Sequence, residues 1–191
     1  MPPKSKFTKE EIIQTALKLV EREGIEALTA RSLGEKAGSS ARPIFTLFKS
    51  MDDVKAQVII AAKQFYNKYI EKSLEGDLPF KGVGLAYISF AKDYPKLFRL
   101  LFMSEQKSVP DRNNILDALD DNSEKILNSI INSYSLSLET AKLLYLHLWI
   151  YTHGIAVLIV TNVCAFSQQE ISEMLTYEFV SIYKKILEGT K

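Results

Sequence analysis

Residues 28–54 read LTARSLGEKAGSSARPIFTLFKSMDDV, and the start and stop signals in this run set the architecture. Thr29 is a helix cap, and Ala30, Leu33 and Ala37 follow at helical spacing before Gly38 closes the turn. A third helix starts at once. Ser39 or Ser40 caps it, Pro43 falls in its first turn where a missing amide costs little, and Ile44, Phe45 and Phe48 form its apolar side. Ser50, with Asp53 three residues on, then opens a long fourth helix from about Met51 to Leu74. Two short helices on a glycine-bearing turn, flanked by longer ones, form a helix-turn-helix pattern.

The same signals continue outward. Thr8 and Glu11 form a capping box with Phe7 and Ile12 as its staple, and Ile12, Ile13, Ala16, Leu17 and Val20 line one face. Gly24 ends this first helix in the left-handed conformation glycine tolerates. Further on, breaks at Pro79, Pro95, Pro110 and Asn113–Asn114 divide residues 80–135 into about three helices. Ser137 caps an uncharged helix (about 138–164), and Ser167 with Glu170 opens a last one (about 168–188). No segment alternates with period two. The expected fold is all-α with about nine helices: a three-helix N-terminal domain over residues 1–50 and a helical C-terminal domain over 51–191.

Charge is unevenly placed. Residues 1–50 carry 9 Lys+Arg against 6 Asp+Glu, whereas the remainder carries 15 against 17. A basic head on a slightly acidic body is compatible with nucleic-acid binding. The single cysteine, Cys164, excludes an internal disulfide and any cysteine-rich metal site, and fits a reducing cytoplasm. Leu143 to Gln169 holds 27 residues without Asp, Glu, Lys or Arg, long enough to cross a bilayer. His147, Thr152, His153, Thr161 and Asn162 interrupt it and no basic cluster flanks it, so a helix buried in a core and a subunit interface is the better reading. No membrane partner is expected.

Double-stranded DNA suits the helix-turn-helix, because a helix fits the major groove and the first residues of its second helix reach base edges. Those residues are Ser39, Ser40, Ala41, Arg42 and Pro43, with Arg42 as the base reader, since a guanidinium bonds two guanine acceptors at once. Thr29, Arg31, Phe45, Thr46 and Lys49 complete the candidate surface, and Lys4, Lys6 and Lys9 could form a loose basic arm.

The run from Leu28 to Ser40, with Ile44-Phe45 and Phe48-Lys49-Ser50-Met51-Asp52-Asp53-Val54, resembles the signature of the tetracycline-repressor (TetR) family over roughly residues 7–60. Tyr94-Pro95-Lys96-Leu97-Phe98-Arg99-Leu100-Leu101-Phe102 and Trp149 with His153-Gly154 resemble motifs of one TetR subgroup. Phe45 stands where the family usually has a tyrosine that bonds a phosphate, and Leu47 where many members have histidine. Arg42-Pro43 replaces the commoner small residues.

The resemblance implies a homodimeric DNA-binding transcriptional regulator, most often a repressor, released from a palindromic operator when a small hydrophobic effector enters a helical cavity. Candidate effector residues are Phe65, Tyr69, Tyr87, Phe90, Phe98, Phe102, Trp149 and His153, the last two one turn apart. Candidate dimer residues are Ile155, Leu158, Ile159, Asn162, Met174 and Tyr177. Neither a cofactor nor a metal is expected. An enzyme is disfavoured: the sequence shows no His–carboxylate spacing, phosphate-cradling glycine loop or metal-ligand cluster, and its two histidines stand six residues apart. A helical carrier of hydrophobic ligands is the alternative.

Overall fold

The computed structural model describes residues 7–76, 78–105, 110–112, 114–116 and 121–189. Among them are nine α-helices: α1 (Lys9–Glu23), α2 (Ala30–Lys36), α3 (Ile44–Leu47), α4 (Met51–Glu71), α5 (Pro79–Asp93), α6 (Pro95–Phe102), α7 (Ser123–Tyr134), α8 (Leu138–Val160) and α9 (Gln168–Gly189). Two 3₁₀ turns, Ile25–Ala27 and Lys72–Glu75, join them, and no described residue is in a strand. The fold is all-α.

Local hydrogen bonds explain most helix starts. Glu11 N–H donates to Thr8 Oγ1 at 3.2 Å while Thr8 N–H donates to the Glu11 carboxylate at 2.8 Å. Ser167 and Glu170 repeat the exchange before α9, and Ser137 Oγ accepts from Thr140 N–H at the head of α8. Pro95 occupies the first turn of α6, where it has no amide to lose.

Several boundaries differ from expectation. The third helix starts at Ile44 rather than Ser39 or Ser40, and no side chain caps it. Ser39 is taken by the preceding helix instead, its N–H donating to Gly34 C=O. The second helix stops at Lys36, α4 stops at Glu71 before its 3₁₀ turn, and α8 stops at Val160. Gly24 closes α1 at φ 92°, ψ 168°, an extended positive-φ conformation and not the left-handed helical one expected.

Packing divides the chain into two compact units, Met1–Tyr66 with Tyr94–Glu105, and Asn67–Asp93 with Gln106–Lys191. In the first, α1 packs on α2 and α6. Its core holds Ile12, Ala16, Leu19 and Val20 of α1, Leu28, Leu33 of α2, Ile44 of α3, Phe48, and Leu97 and Phe98 of α6. Val54, Val58, Ala62 and Tyr66 are buried at every fourth residue of α4. In the second unit α5 and α8 form the main pair, with α7 and α9 packed on both. Ala141, Leu144, Tyr145, Leu148, Thr152, Ile155 and Ala156 form the buried side of α8.

Candidate functional site

Backbone bonds in the first unit fix the candidate reading segment. Thr29 caps α2 by accepting from Ser32 N–H at 3.1 Å, and Ser32 Oγ accepts in return from Thr29 N–H at 3.0 Å. At the other end Gly38 adopts φ +65°. There Gly38 N–H reaches Glu35 C=O and Ser39 N–H reaches Gly34 C=O, the paired bonds of a Schellman turn. The turn then lies directly on α2. A Cβ at Gly34 would stand 3.0 Å from Ala41 N and from Ser40 C. The helix-to-turn contact is therefore backbone against glycine.

Ile44 N–H donates to Ala41 C=O at 3.1 Å, which leads the chain into α3. Ile44 and Phe48, one turn apart, are buried and hold this short helix down. Lys9 Nζ sits 5.5 Å from the Phe48 ring centroid. Asp53 N–H donates to Ser50 Oγ, and Lys49 N–H donates to the Asp53 carboxylate, so the junction into α4 is closed as well.

On this frame Ser40, Arg42, Phe45, Thr46 and Lys49 are exposed, whereas Ser39, Ala41 and Pro43 are half-buried. Thr29 and Arg31 are exposed on α2, where Arg31 Nε bonds Glu35 at 3.0 Å. Lys36 is 3.5 Å from Glu23. Among the described residues Arg42 and Lys49 have no ion-pair partner, so their charges remain available. Lys4 and Lys6 lie outside the described residues.

The eight candidate effector residues divide between the units. Phe65, Phe98 and Phe102 belong to the first, where Phe65 meets Tyr94 edge-on and Phe102 meets both Tyr66 and Phe98. Tyr69, Tyr87, Phe90, Trp149 and His153 belong to the second. There Tyr69 packs edge-on against Phe90, and its hydroxyl donates to Asp93 at 3.2 Å. Buried Tyr87 places its hydroxyl 2.9 Å from His153 Nδ1, and Trp149 stacks on the His153 ring at 5.0 Å and 16°. Burial pushes the His153 pKa below its ordinary value, which favours the neutral ring. The direction of that bond sets the tautomer: where the tyrosine donates to Nδ1, the neutral imidazole carries its hydrogen on Nε2.

A second aromatic cluster escaped sequence reasoning. Phe179 and Tyr183 of α9 stack at 5.5 Å, and Tyr134 of α7 contacts both. Phe80 of α5 and Tyr145 of α8 extend the cluster. Burial, followed by the Tyr183 hydroxyl nearby, raises the Tyr134 pKa. The spacing of Phe179 and Tyr183 was the available signal; the partners on three other helices were not.

The candidate dimer residues also separate. Ile155 is 3% exposed and belongs to the unit's own core, while Leu158 is exposed and Ile159 and Met174 are intermediate. Asn162 lies beyond the end of α8 at φ 58°, and Tyr177 is 75% exposed. The outward stripe of α8 runs Leu143, His147, Ile150, Gly154, Leu158, with Ile150 55% exposed. Val180 and Leu187 join Tyr177 as exposed apolar residues on α9. A groove of about 330 Å³ between these helices is lined by Leu143, His147, Ser181, Ile182, Lys185 and Ile186.

Comparison with known proteins accords with this architecture. A protein from Mesorhizobium loti MAFF303099, assigned to the TetR family of transcriptional regulators, superposes with a TM-score of 0.58 over 91% of this chain and 94% of its own. At 17% identity that likeness speaks to the fold. No curated protein matches the chain. The family described as tetracyclin repressor-like, C-terminal domain, matches residues 80–178. That match takes in the helices carrying the Tyr87–His153 pair and over half of the 191 residues, and the chain belongs to the TetR family.

Proposed function

We propose that the protein is a DNA-binding transcriptional regulator without catalytic activity, acting as a homodimer in the cytoplasm on a near-palindromic operator. The carrying observation is the reading segment, in which Gly34, Gly38 and buried Ile44 and Phe48 hold the backbone while Arg42, Phe45, Thr46 and Lys49 stand exposed. A rigid frame with unengaged cations and exposed side chains suits base reading and phosphate contact. In this reading Arg42 bonds a guanine edge and Lys49 a phosphate.

One helix-turn-helix makes few base contacts, so two copies are needed for an extended site. The outward apolar stripe of α8 and the exposed apolar residues of α9 supply a self-complementary face for a two-fold partner. Regulation follows from an effector that binds the DNA-incompetent arrangement more tightly than the competent one. A difference of about 1–3 kcal/mol is typical of such coupling. The effector in this reading is a small hydrophobic compound with a hydrogen-bond acceptor, seated on the aromatic residues of the second unit. In the tautomer where Tyr87 donates to Nδ1, His153, flanked by Trp149, would offer Nε2–H as the polar handle. On family precedent the regulator is a repressor.

Selection of bound duplexes from a random DNA pool, at near-physiological salt, tests the reading. Enrichment of a palindrome supports the dimeric reader. Weak, salt-sensitive binding with no enriched sequence would overturn it in favour of a hydrophobic-ligand carrier.

A further inference from the structure

The most exposed apolar group on α3 is the Phe45 ring. Phe45 is 49% exposed, although Ile44 beside it and Phe48 one turn on are almost wholly buried. Those two residues fix which side of α3 faces the core, and about half of Phe45 is left open to solvent. The neighbouring polar side chain, Thr46, spends its hydroxyl hydrogen on Pro43 C=O at 2.6 Å and keeps only acceptor capacity. Leu47 offers no hydrogen bond. The open side of α3 thus presents a phenyl ring beside a threonine hydroxyl.

We propose that Phe45 is a base-reading residue that takes the 5-methyl group of a thymine in the major groove. This rests on the DNA-binding reading above and adds a base identity to it. A phenyl ring has neither donor nor acceptor, so it gains nothing at a phosphate and would strip water from one. Of the groups on the major-groove edges, the thymine methyl is the apolar one, and phenylalanine is among the side chains that contact it. The Ala41–Ile44 backbone bond sets Arg42 and Phe45 one turn apart. The segment thus carries two readers of opposite chemistry, a guanidinium for guanine and a ring for thymine. Phe45 distinguishes thymine from cytosine and also from uracil, which keeps every hydrogen-bonding group of thymine and lacks only the methyl.

That last distinction gives the test. Using the full-length protein and an operator from the pool selection, each thymine is replaced in turn by deoxyuracil, symmetrically in both half-sites. At one thymine per half-site the replacement should weaken wild-type binding about tenfold, as expected for two buried methyl groups. The Phe45→Ala protein should bind the thymine operator more weakly and lose the distinction, binding thymine and uracil versions alike. Phe45→Leu, which keeps an apolar side chain, should restore part of it. Thermal melting should leave both variants folded, because the ring is exposed. An operator with no methyl-sensitive thymine, or a Phe45→Ala protein that still prefers thymine tenfold, would overturn the assignment while leaving the DNA-binding reading intact. Failure to select any operator would overturn both.

Discussion

Replacing Ile150 probes the face we assign to the second copy. Fully burying an isoleucine is worth about 1.5–3 kcal/mol. With 55% of Ile150 exposed in the isolated chain, roughly half of that, about 1 kcal/mol, is left to be gained at an interface. A two-fold dimer uses the position twice, so Ile150→Ala should cost about 2 kcal/mol, or roughly thirtyfold in the dimer Kd. Ile150→Asp goes further, because each buried carboxylate adds a desolvation penalty of several kcal/mol. That variant should be monomeric at micromolar concentration. Sedimentation equilibrium measures the association directly, and Ile155→Ala serves as the contrast. Ile155 is buried within its own chain, so its truncation should lower the melting temperature through a loss of about 2–5 kcal/mol, with no selective effect on association. An Ile150→Asp protein with wild-type association would refute the assignment of this stripe. So would an Ile155→Ala protein that stays as stable as wild type but becomes monomeric.

Other substitutions test the reading head and the polar pair. Arg42→Ala should weaken operator binding by about 1–3 kcal/mol and relax one position per half-site; equal weakening on all sequences in the same assay would make it a phosphate contact. Gly34→Val should destabilise the first unit by about 1–3 kcal/mol through overpacking, since even a Cβ there meets the Ser40–Ala41 backbone at 3.0 Å; a melting temperature equal to wild type would contradict that contact. His153 gives a pH signature. Its folded pKa lies below the ordinary 6.5, so the unfolded chain binds the proton more readily, and stability should fall as pH drops below about 6.5 and be fully present above it. His153→Gln should flatten that part of the melting profile, and an unchanged slope would assign it to other groups.

Helix starts were legible because their signals are local. The bonds of Thr8 with Glu11, Ser137 with Thr140 and Ser167 with Glu170 each span three residues and form as the residue types and spacing require. The start of α3 was not, because demands from the preceding helix act on Ser39 and Ser40. Gly34 C=O captures the Ser39 amide to finish α2, and the turn must lie against the glycine surface. Neither is visible in the run SSARPIF read by itself. Aromatic partners were hidden for a related reason. Trp149 and His153 share a helix and their stacking follows from spacing, but Tyr87 reaches His153 from 66 residues away. The domain boundary expected at residue 50 marks the end of the proposed reading head, whereas packing draws the compact units through α4 and gathers α6 into the first.

The outward side of α8 was the hardest to read. Leu138–Val160 is long and apolar enough to cross a membrane by length and composition alone, and a helix apolar all round gives periodicity nothing to distinguish. Its neighbours make the distinction. One side is covered by α5, α7 and α9, and Thr152 on that side satisfies its hydroxyl at Leu148 C=O, 2.6 Å away. What stays outside is a stripe one residue wide, Leu143–His147–Ile150–Gly154–Leu158, beside a helix that carries Glu173, Glu178, Lys184, Lys185 and Glu188. A bilayer would have to accept those charges along with the stripe, at about 2.5–3.5 kcal/mol for each Lys or Asp-like charge near its centre. A second copy asks for far less. It needs a narrow apolar strip, and Gly154, with nothing within 4 Å of its absent Cβ, lets another backbone approach there. The composition that resembles a membrane span is then accounted for by a helix with two protein-facing sides, one filled by its own chain and the other, in the dimer proposed above, by a second copy.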